Sequence, residues 1–170
     1  LKNLSLGSMP FLEELDIRNT EITSVNATYC PRLVSLKATG SSLAALSLAE
    51  TSPISELQLP STMTNLSFVN LPNLSYPNGN LTIEGFSALK SLTISGCEKI
   101  DSLEMLQNAV ADNVKLNTIA ISNINAIAPI DVLQSLKDSG VRGTDDEGNY
   151  CTGLTGRWIF SQLYDDNMVK

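Results

Sequence analysis

The chain has 170 residues, with 18 acidic and 11 basic side chains, no histidine and three cysteines, so its formal net charge is −7. An acidic chain of this kind argues against a nucleic-acid partner, which needs a basic surface. The lack of histidine excludes the Ser-His-Asp and Cys-His nucleophile systems and the usual zinc and iron ligand sets. No apolar run approaches the ~20 residues that cross a bilayer, so we expect no membrane insertion.

A repeat of about 21 residues organises the chain from its first residue to about position 125. Residues 12–25 align with residues 33–46 as L-x-x-L-x-(I/A)-x-x-(T/S)-x-(I/L)-x-x-(V/L), at an offset of 21. Copies of this pattern begin at Leu12, Leu33, Ile54, Leu89 and Leu116. Because residues 1–6 match the end of the same pattern, we expect the chain to be part of a longer protein.

Each L-x-L segment is predicted to be a short strand whose leucines point inward, because side chains alternate across a strand. Stacked copies should then pair these strands in parallel around one leucine core. A second L-x-x-L element follows in each copy, as at 22–25 and 43–46. Since 21 residues leave little room for a helix there, we expect short strands or turns, with helix only in 101–112. The stretch between Leu66 and Leu89 predicts either one long coil or one coil with a bulged loop.

The ninth position of the repeat carries small side chains, namely Thr20, Ser41, Thr62 and Cys97. Residues of this size can turn the backbone and cap buried peptide groups. Cys30 and Cys97 are expected to be small buried residues at the turns, whereas Cys151 lies in a polar loop. Three widely spaced cysteines predict neither a disulfide framework nor a metal cluster.

The pattern resembles the leucine-rich repeat, L-x-x-L-x-L-x-x-(N/C), with Thr, Ser or Cys at the last position. The resemblance implies an α/β solenoid: a right-handed coil of short, mostly parallel strands, with a small α+β cap at its C-terminal end. The phrases at 38–41, 57–60, 81–85 and 146–156 are similar to those of leucine-rich-repeat proteins of gut Bacteroidales and their phages and prophages. This similarity implies a secreted, cell-surface or virion-associated interaction protein.

The repeat ends near residue 128, and residues 129–170 are predicted to form the C-terminal capping segment. Residues 129–138 favour a short amphipathic helix, with Pro129 in its first turn and Gly140 after its end. A polar turn follows at 143–149, then a strand at 153–160 and the start of another helix. Trp158 is expected to lie in the core of this cap or to anchor a neighbouring domain or subunit.

The outward strand positions form the candidate interaction face, which we call the outward ladder. Its members are Asp16, Arg18, Lys37, Thr39, Gln58, Thr93, Ser95 and Ser122. Asp16 and Lys37 should be neighbours on adjacent strands, a pair worth ~0.2–1 kcal/mol. Binding faces are enriched in Tyr, Trp and Arg. Since this ladder has one arginine and no aromatic residue, both a solvated structural face and a contact surface stay open.

Other motifs have simple structural interpretations. Glu13, Glu14, Asp16 and Glu21 are expected to form a solvated face rather than an acid–base pair. The acidic run 145–149 lacks a side-chain ligand at the first position of a calcium loop, so we predict a turn rather than a cation site. Five Asn-x-Ser/Thr triplets are expected by chance in a chain with 15 asparagines.

We therefore expect no catalytic residues, no cofactor and no bound metal in this chain. The leading hypothesis is a non-enzymatic module that binds a protein or a glycan at a bacterial cell surface or on a phage virion. The alternative is a structural piece of a larger assembly, such as a virion or surface layer, in which the chain forms oligomers.

Overall fold

The computed structural model describes residues 2–102, 104, 105, 118–122, 142–144 and 150–152, the last three ranges as backbone only. Twelve strands lie in these ranges. They are β1 (Asn3–Ser5), β2 (Glu14–Asp16), β3 (Ser24–Ala27), β4 (Ser35–Lys37), β5 (Ala45–Leu48), β6 (Glu56–Leu59), β7 (Asn65–Val69), β8 (Asn80–Ile83), β9 (Ser91–Ser95), β10 (Thr118–Ser122), β11 (Arg142–Thr144) and β12 (Tyr150–Thr152).

The chain winds as a parallel β-solenoid of about four turns. Sheet I contains β2, β4, β6 and β8 in that order, sheet II contains β1, β3 and β5, and sheet III contains β7, β9 and β10. Neighbouring strands within each of these sheets are parallel. A typical coil gives one strand to sheet I and one to sheet II or III, which confirms the predicted stack of short parallel strands.

Strand register confirms the 21-residue repeat in the first coils. Leu15 pairs with Leu36, and Leu36 pairs with Leu57, each 21 residues further along the chain. The next coil is longer, since Leu66 of β7 pairs with Leu92 of β9. This longer coil contains β8, which pairs with β6 in sheet I. Residues 66–89 therefore form one long coil.

The copies at Leu89 and Leu116 do not extend the sheet of the first three copies, and that part of the prediction was wrong. Their strands, β9 and β10, pair with β7 in sheet III. Strands on both sides of the coil bury alternate apolar residues, such as Leu57 and Leu59 in β6 and Leu66 and Phe68 in β7. The apolar pattern alone therefore does not distinguish one side of the coil from the other.

The inward side chains form one continuous core along the coil axis. Leu36, Leu57 and Ile94 have 0–1% of their surface exposed, as expected for a stack in which every coil covers the next. Burying a leucine in this way contributes roughly 1.5–3 kcal/mol before entropy is counted.

The small side chains at the ninth repeat position cap backbone groups, as predicted. The Thr20 hydroxyl donates to the Ile17 carbonyl at 2.8 Å, and the Thr62 hydroxyl donates to the Leu43 carbonyl at 2.6 Å. The Cys97 thiol donates to the Phe68 carbonyl at 3.3 Å. These bonds satisfy carbonyl groups at the turns, where the strand pairing has ended.

The described part of the chain is a β-solenoid with almost no helix, rather than the expected α/β coil. Residue 105 is its single helical residue. In the predicted cap, β11 and β12 form an antiparallel pair on either side of residues 145–149. The predicted helices at 129–138 and 161–169, the strand at 153–160 and Trp158 lie outside the described residues. Among the described residues, no helix is long and apolar enough to span a membrane.

Candidate functional site

The structure divides the outward ladder between two sheets. Asp16, Lys37 and Gln58 lie side by side in sheet I, and β8 places Thr82 next to Gln58. Arg18 and Thr39 follow the ends of β2 and β4. Thr93, Ser95 and Ser122 belong to β9 and β10 of sheet III. The expected single face is therefore two shorter faces, because the later repeat copies lie on the other side of the coil.

On sheet I, Asp16 and Arg18 bind each other. Arg18 Nε donates to both carboxylate oxygens of Asp16 at 3.0 and 3.1 Å, and its Nη2 donates to Oδ2 at 2.7 Å. The Arg18 backbone N–H donates to the same carboxylate at 3.1 Å. The guanidinium bonds and this N–H lower the pKa of Asp16 to about 2. Both side chains remain half exposed.

Beside this pair, Glu56 is the centre of a second polar cluster. It accepts a 2.6 Å hydrogen bond from the Ser35 hydroxyl and a 2.9 Å bond from Gln58 Nε2. Lys37 Nζ lies 3.4 Å from Glu56 Oε2. The hydroxyl bond of Ser35 and the lysine charge lower the pKa of Glu56.

The predicted ion pair between Asp16 and Lys37 is therefore not the one that forms. The two residues are register neighbours, but each has a different partner, Arg18 for Asp16 and Glu56 for Lys37. The charged members of sheet I are thus already paired within the chain. A ligand on this face would have to compete with these pairs.

The acidic residues of the first full coil are solvated, as expected. Glu14 and Asp16 are exposed on β2, while Glu13 lies 3.4 Å from Arg32. The described residues contain no group of three acidic, cysteine or histidine side chains placed to hold a metal ion. Cys30 and Cys97 are fully buried, and burial raises the pKa of the Cys97 thiol.

Sequence reasoning missed a cluster of exposed apolar side chains at one corner of the first coils. We call Met9, Phe11 and Tyr29 the corner cluster. They have 44%, 78% and 69% of their surface exposed, and they are three of the five large hydrophobic residues found exposed in the described residues. The Arg32 guanidinium lies 6.0 Å from the centre of the Phe11 ring.

The corner cluster follows from the repeat. Phe11 and Arg32 are 21 residues apart, and each comes directly after a proline at the turn that leads into sheet I. The Met9 N–H donates to the Tyr29 carbonyl at 3.3 Å, which joins the two turns. Side chains at a solenoid turn point away from the core, so these rings are exposed. An aromatic residue next to a proline at a fixed repeat position was the signal in the sequence.

Known proteins give no further guide. Comparisons with protein-family models, with curated proteins and with solved structures found no match.

A cleft opens between β5 and β7, in the middle of the stack. At their beginnings the two segments are joined, since the Thr64 N–H donates to the Ala44 carbonyl at 3.1 Å. Beyond that point no strand pairing connects β5 to β7 in the described structure. The gap has a volume of about 290 Å³ and is lined by residues 46–50, Ser67 and residues 69–71.

Proposed function

We propose that the chain is a non-enzymatic interaction module that binds a protein or a glycan at a bacterial cell surface or on a phage virion. The coil would belong to the leucine-rich-repeat type, with the right-handed winding, helical content and C-terminal cap that the resemblance implies. The 21-residue register, the leucine core and the capping side chains at the ninth position support this assignment.

The corner cluster is the observation that carries the binding proposal. Tyrosine, arginine, phenylalanine and methionine are enriched at interfaces, and the cluster with Arg32 supplies one of each. Aromatic rings have few rotatable bonds, so little side-chain entropy is lost when they become ordered. The stacked turns hold the backbone under Met9 and Tyr29 in place before any ligand arrives, which lowers the cost of binding.

The test uses the fluorescently labelled chain on intact Bacteroidales cells. We expect binding to fall at least tenfold in the double variant Phe11→Ser, Tyr29→Ser. It should be kept in the matched pair Gln58→Ala, Thr82→Ala on sheet I. Treating the cells with protease or with periodate then shows whether the ligand is a protein or a glycan. A wild-type chain that does not bind, or a corner variant that binds as well as wild type, would contradict the proposal.

A structural role in a larger assembly is the second candidate, because exposed rings also suit a contact between subunits. Light scattering across a range of concentrations distinguishes the two. A defined oligomer that the Phe11→Ser, Tyr29→Ser variant dissociates favours the assembly. A monomer at all concentrations favours the free binding module.

A further inference from the structure

The gap between β5 and β7 is a break in an otherwise regular stack. At the start of every strand on this side of the coil, backbone bonds connect one coil to the next, from Lys2 through Thr23, Ala44 and Thr64 to Lys90. Sheet II nevertheless ends at β5 and sheet III begins at β7. The two strands therefore start together and separate toward their C-terminal ends.

The separation exposes apolar side chains that should be core. Leu46 and Leu48 of β5 are half-buried, whereas their register partners on β3, Val25 and Ala27, are only 2% and 1% exposed. On the other side of the gap, Val69 is 41% exposed. An apolar surface in the middle of a solenoid is unusual, because the next coil normally covers it.

The separation also leaves two strand edges facing each other. An unpaired edge presents a row of backbone N–H and C=O groups, which are strong hydrogen-bonding groups with a preference for another strand. Since β5 pairs with β3 and β7 pairs with β9, each has one edge that turns toward the cleft. The recognition chemistry of this site is therefore that of the peptide backbone.

Charge and size restrict the occupant further. Glu50 is exposed and lines the cleft just beyond the end of β5, so it favours a basic residue at that point. The volume of about 290 Å³ is at the lower limit for small-molecule pockets, ~300–1,000 Å³. It suits one or two apolar peptide side chains over Leu46, Leu48 and Val69 better than a large cofactor.

We infer that the cleft between β5 and β7 binds an extended peptide by strand addition, with apolar side chains entering the cleft and a lysine or arginine beside Glu50. The inference deepens the proposed binding function and rests on it. The backbone edges supply affinity, as in other cases of strand addition, and the cleft selects the alternate side chains.

The probe is a displayed library of random ten-residue peptides, selected against the wild-type chain. We expect the enriched peptides to alternate apolar residues and to contain a lysine or arginine. They should bind at least tenfold more weakly to Glu50→Lys and to Val69→Lys. The matched controls, Glu21→Lys and Val34→Lys, make the same charge changes at exposed positions outside the cleft, and they should bind as wild type does.

Backbone recognition is tested on an enriched peptide. N-methylation at alternate residues removes donors on one edge while it keeps the side chains, and we expect it to weaken binding at least tenfold. Hydrogen exchange should show that the peptide protects amides within residues 46–50 and 67–71. A peptide that binds both cleft variants normally, tolerates N-methylation at every position or protects other amides would overturn the inference.

The corner variant separates this inference from the proposed function. Phe11→Ser, Tyr29→Ser should bind the selected peptide as wild type does. If selection enriches no cleft-dependent peptide while the corner cluster still mediates cell binding, the strand-addition inference fails alone. If neither surface binds, the interaction function fails as well.

Discussion

At the residue scale, the turns of this solenoid depend on small polar side chains that satisfy buried backbone groups. Ser41 is 5% exposed, and its hydroxyl accepts a hydrogen bond from the Leu43 N–H at 3.3 Å. Ser52 is a contrasting case, since it is 1% exposed and its hydroxyl has no hydrogen-bond partner. A buried polar group without a partner loses its hydration and gains nothing in return.

This contrast predicts opposite results for the same substitution. Ser52→Ala removes an unpaired hydroxyl, so we expect the free energy of unfolding to rise by up to about 1 kcal/mol. Ser41→Ala removes a bonded one and leaves the Leu43 N–H without its acceptor, so we expect a loss of about 1 kcal/mol. Urea denaturation measures both. A loss of stability in Ser52→Ala as large as that in Ser41→Ala would contradict the prediction.

Gly40 shows how two coils constrain one backbone position. Its φ is +66°, and a Cβ added there would overlap the side-chain oxygen of Asn19, which has a φ of +56° on the preceding coil. The Gly40 N–H also donates to both carboxylate oxygens of Glu84, at 3.0 and 3.2 Å. The residue is therefore limited both by its conformation and by a close neighbour.

Substitution by alanine separates these two effects. Gly7 has a φ of +57° but has no atom near an added Cβ, so Gly7→Ala should cost only the conformational strain, about 1–2 kcal/mol. Gly40→Ala should cost clearly more, because Asn19 must also move. Thermal or urea unfolding of the two variants measures the difference. Equal losses would show that the Asn19 side chain adapts freely.

At the element scale, the strands of sheet I are connected by side chains as well as by backbone bonds. Glu56 on β6 accepts from Ser35 on β4 and lies beside Lys37, also on β4. The carboxylate therefore connects two coils as long as it is charged.

Glu56 makes the stability of this sheet depend on pH. Its pKa in the folded chain is lowered from the usual 4.5, so the stabilisation is present above pH ~4.5 and is lost as pH falls through the lowered folded value. We expect Glu56→Gln to be less stable at neutral pH and to lose less stability between about pH 5 and pH 3 than wild type does. Denaturation at several pH values measures this. Glu21→Gln, the same change at an exposed position, should leave the pH dependence as it is in wild type.

Several elements could be predicted from the sequence, and their failures have one cause. The strands β2, β4 and β6 and the capping side chains follow from apolar alternation and from the ninth repeat position. The strands β9 and β10 were also recognised as strands, but they were placed in the wrong sheet. The apolar pattern determines which side chains face the core, and it is the same on both sides of the coil. Register depends instead on coil length, which changes after β6.

At the scale of the whole molecule, each coil contacts only its neighbours, so one break in pairing has local consequences. Both β4 and β6 are paired on both sides, by β2 and β8 at the outer positions and by each other. In contrast, β5 and β7 each have one side open to the cleft. The solenoid therefore has a weak boundary near its middle.

Hydrogen exchange of the free chain should reveal this boundary. Amides of β5 and β7 that face the cleft should exchange fast, because they open without breaking a sheet bond, while the amides of β4 and β6 should be protected on both edges. Nuclear magnetic resonance measures the exchange of individual amides. Protection of β5 and β7 on both edges, equal to that of β4 and β6, would mean that the cleft closes in solution.

The sequence by itself determined the coil, its 21-residue step, its leucine core and the small capping residues, because these depend on local spacing and on the burial of apolar groups. It also indicated which strand residues face outward. Only the tertiary structure decided which partners those residues have: Asp16 binds Arg18 rather than Lys37, and Lys37 binds Glu56. It likewise brought Phe11 and Tyr29 together at one corner and separated β5 from β7. These features depend on how one coil lies on the next, and a change of a few residues in coil length alters that arrangement while the apolar pattern stays the same.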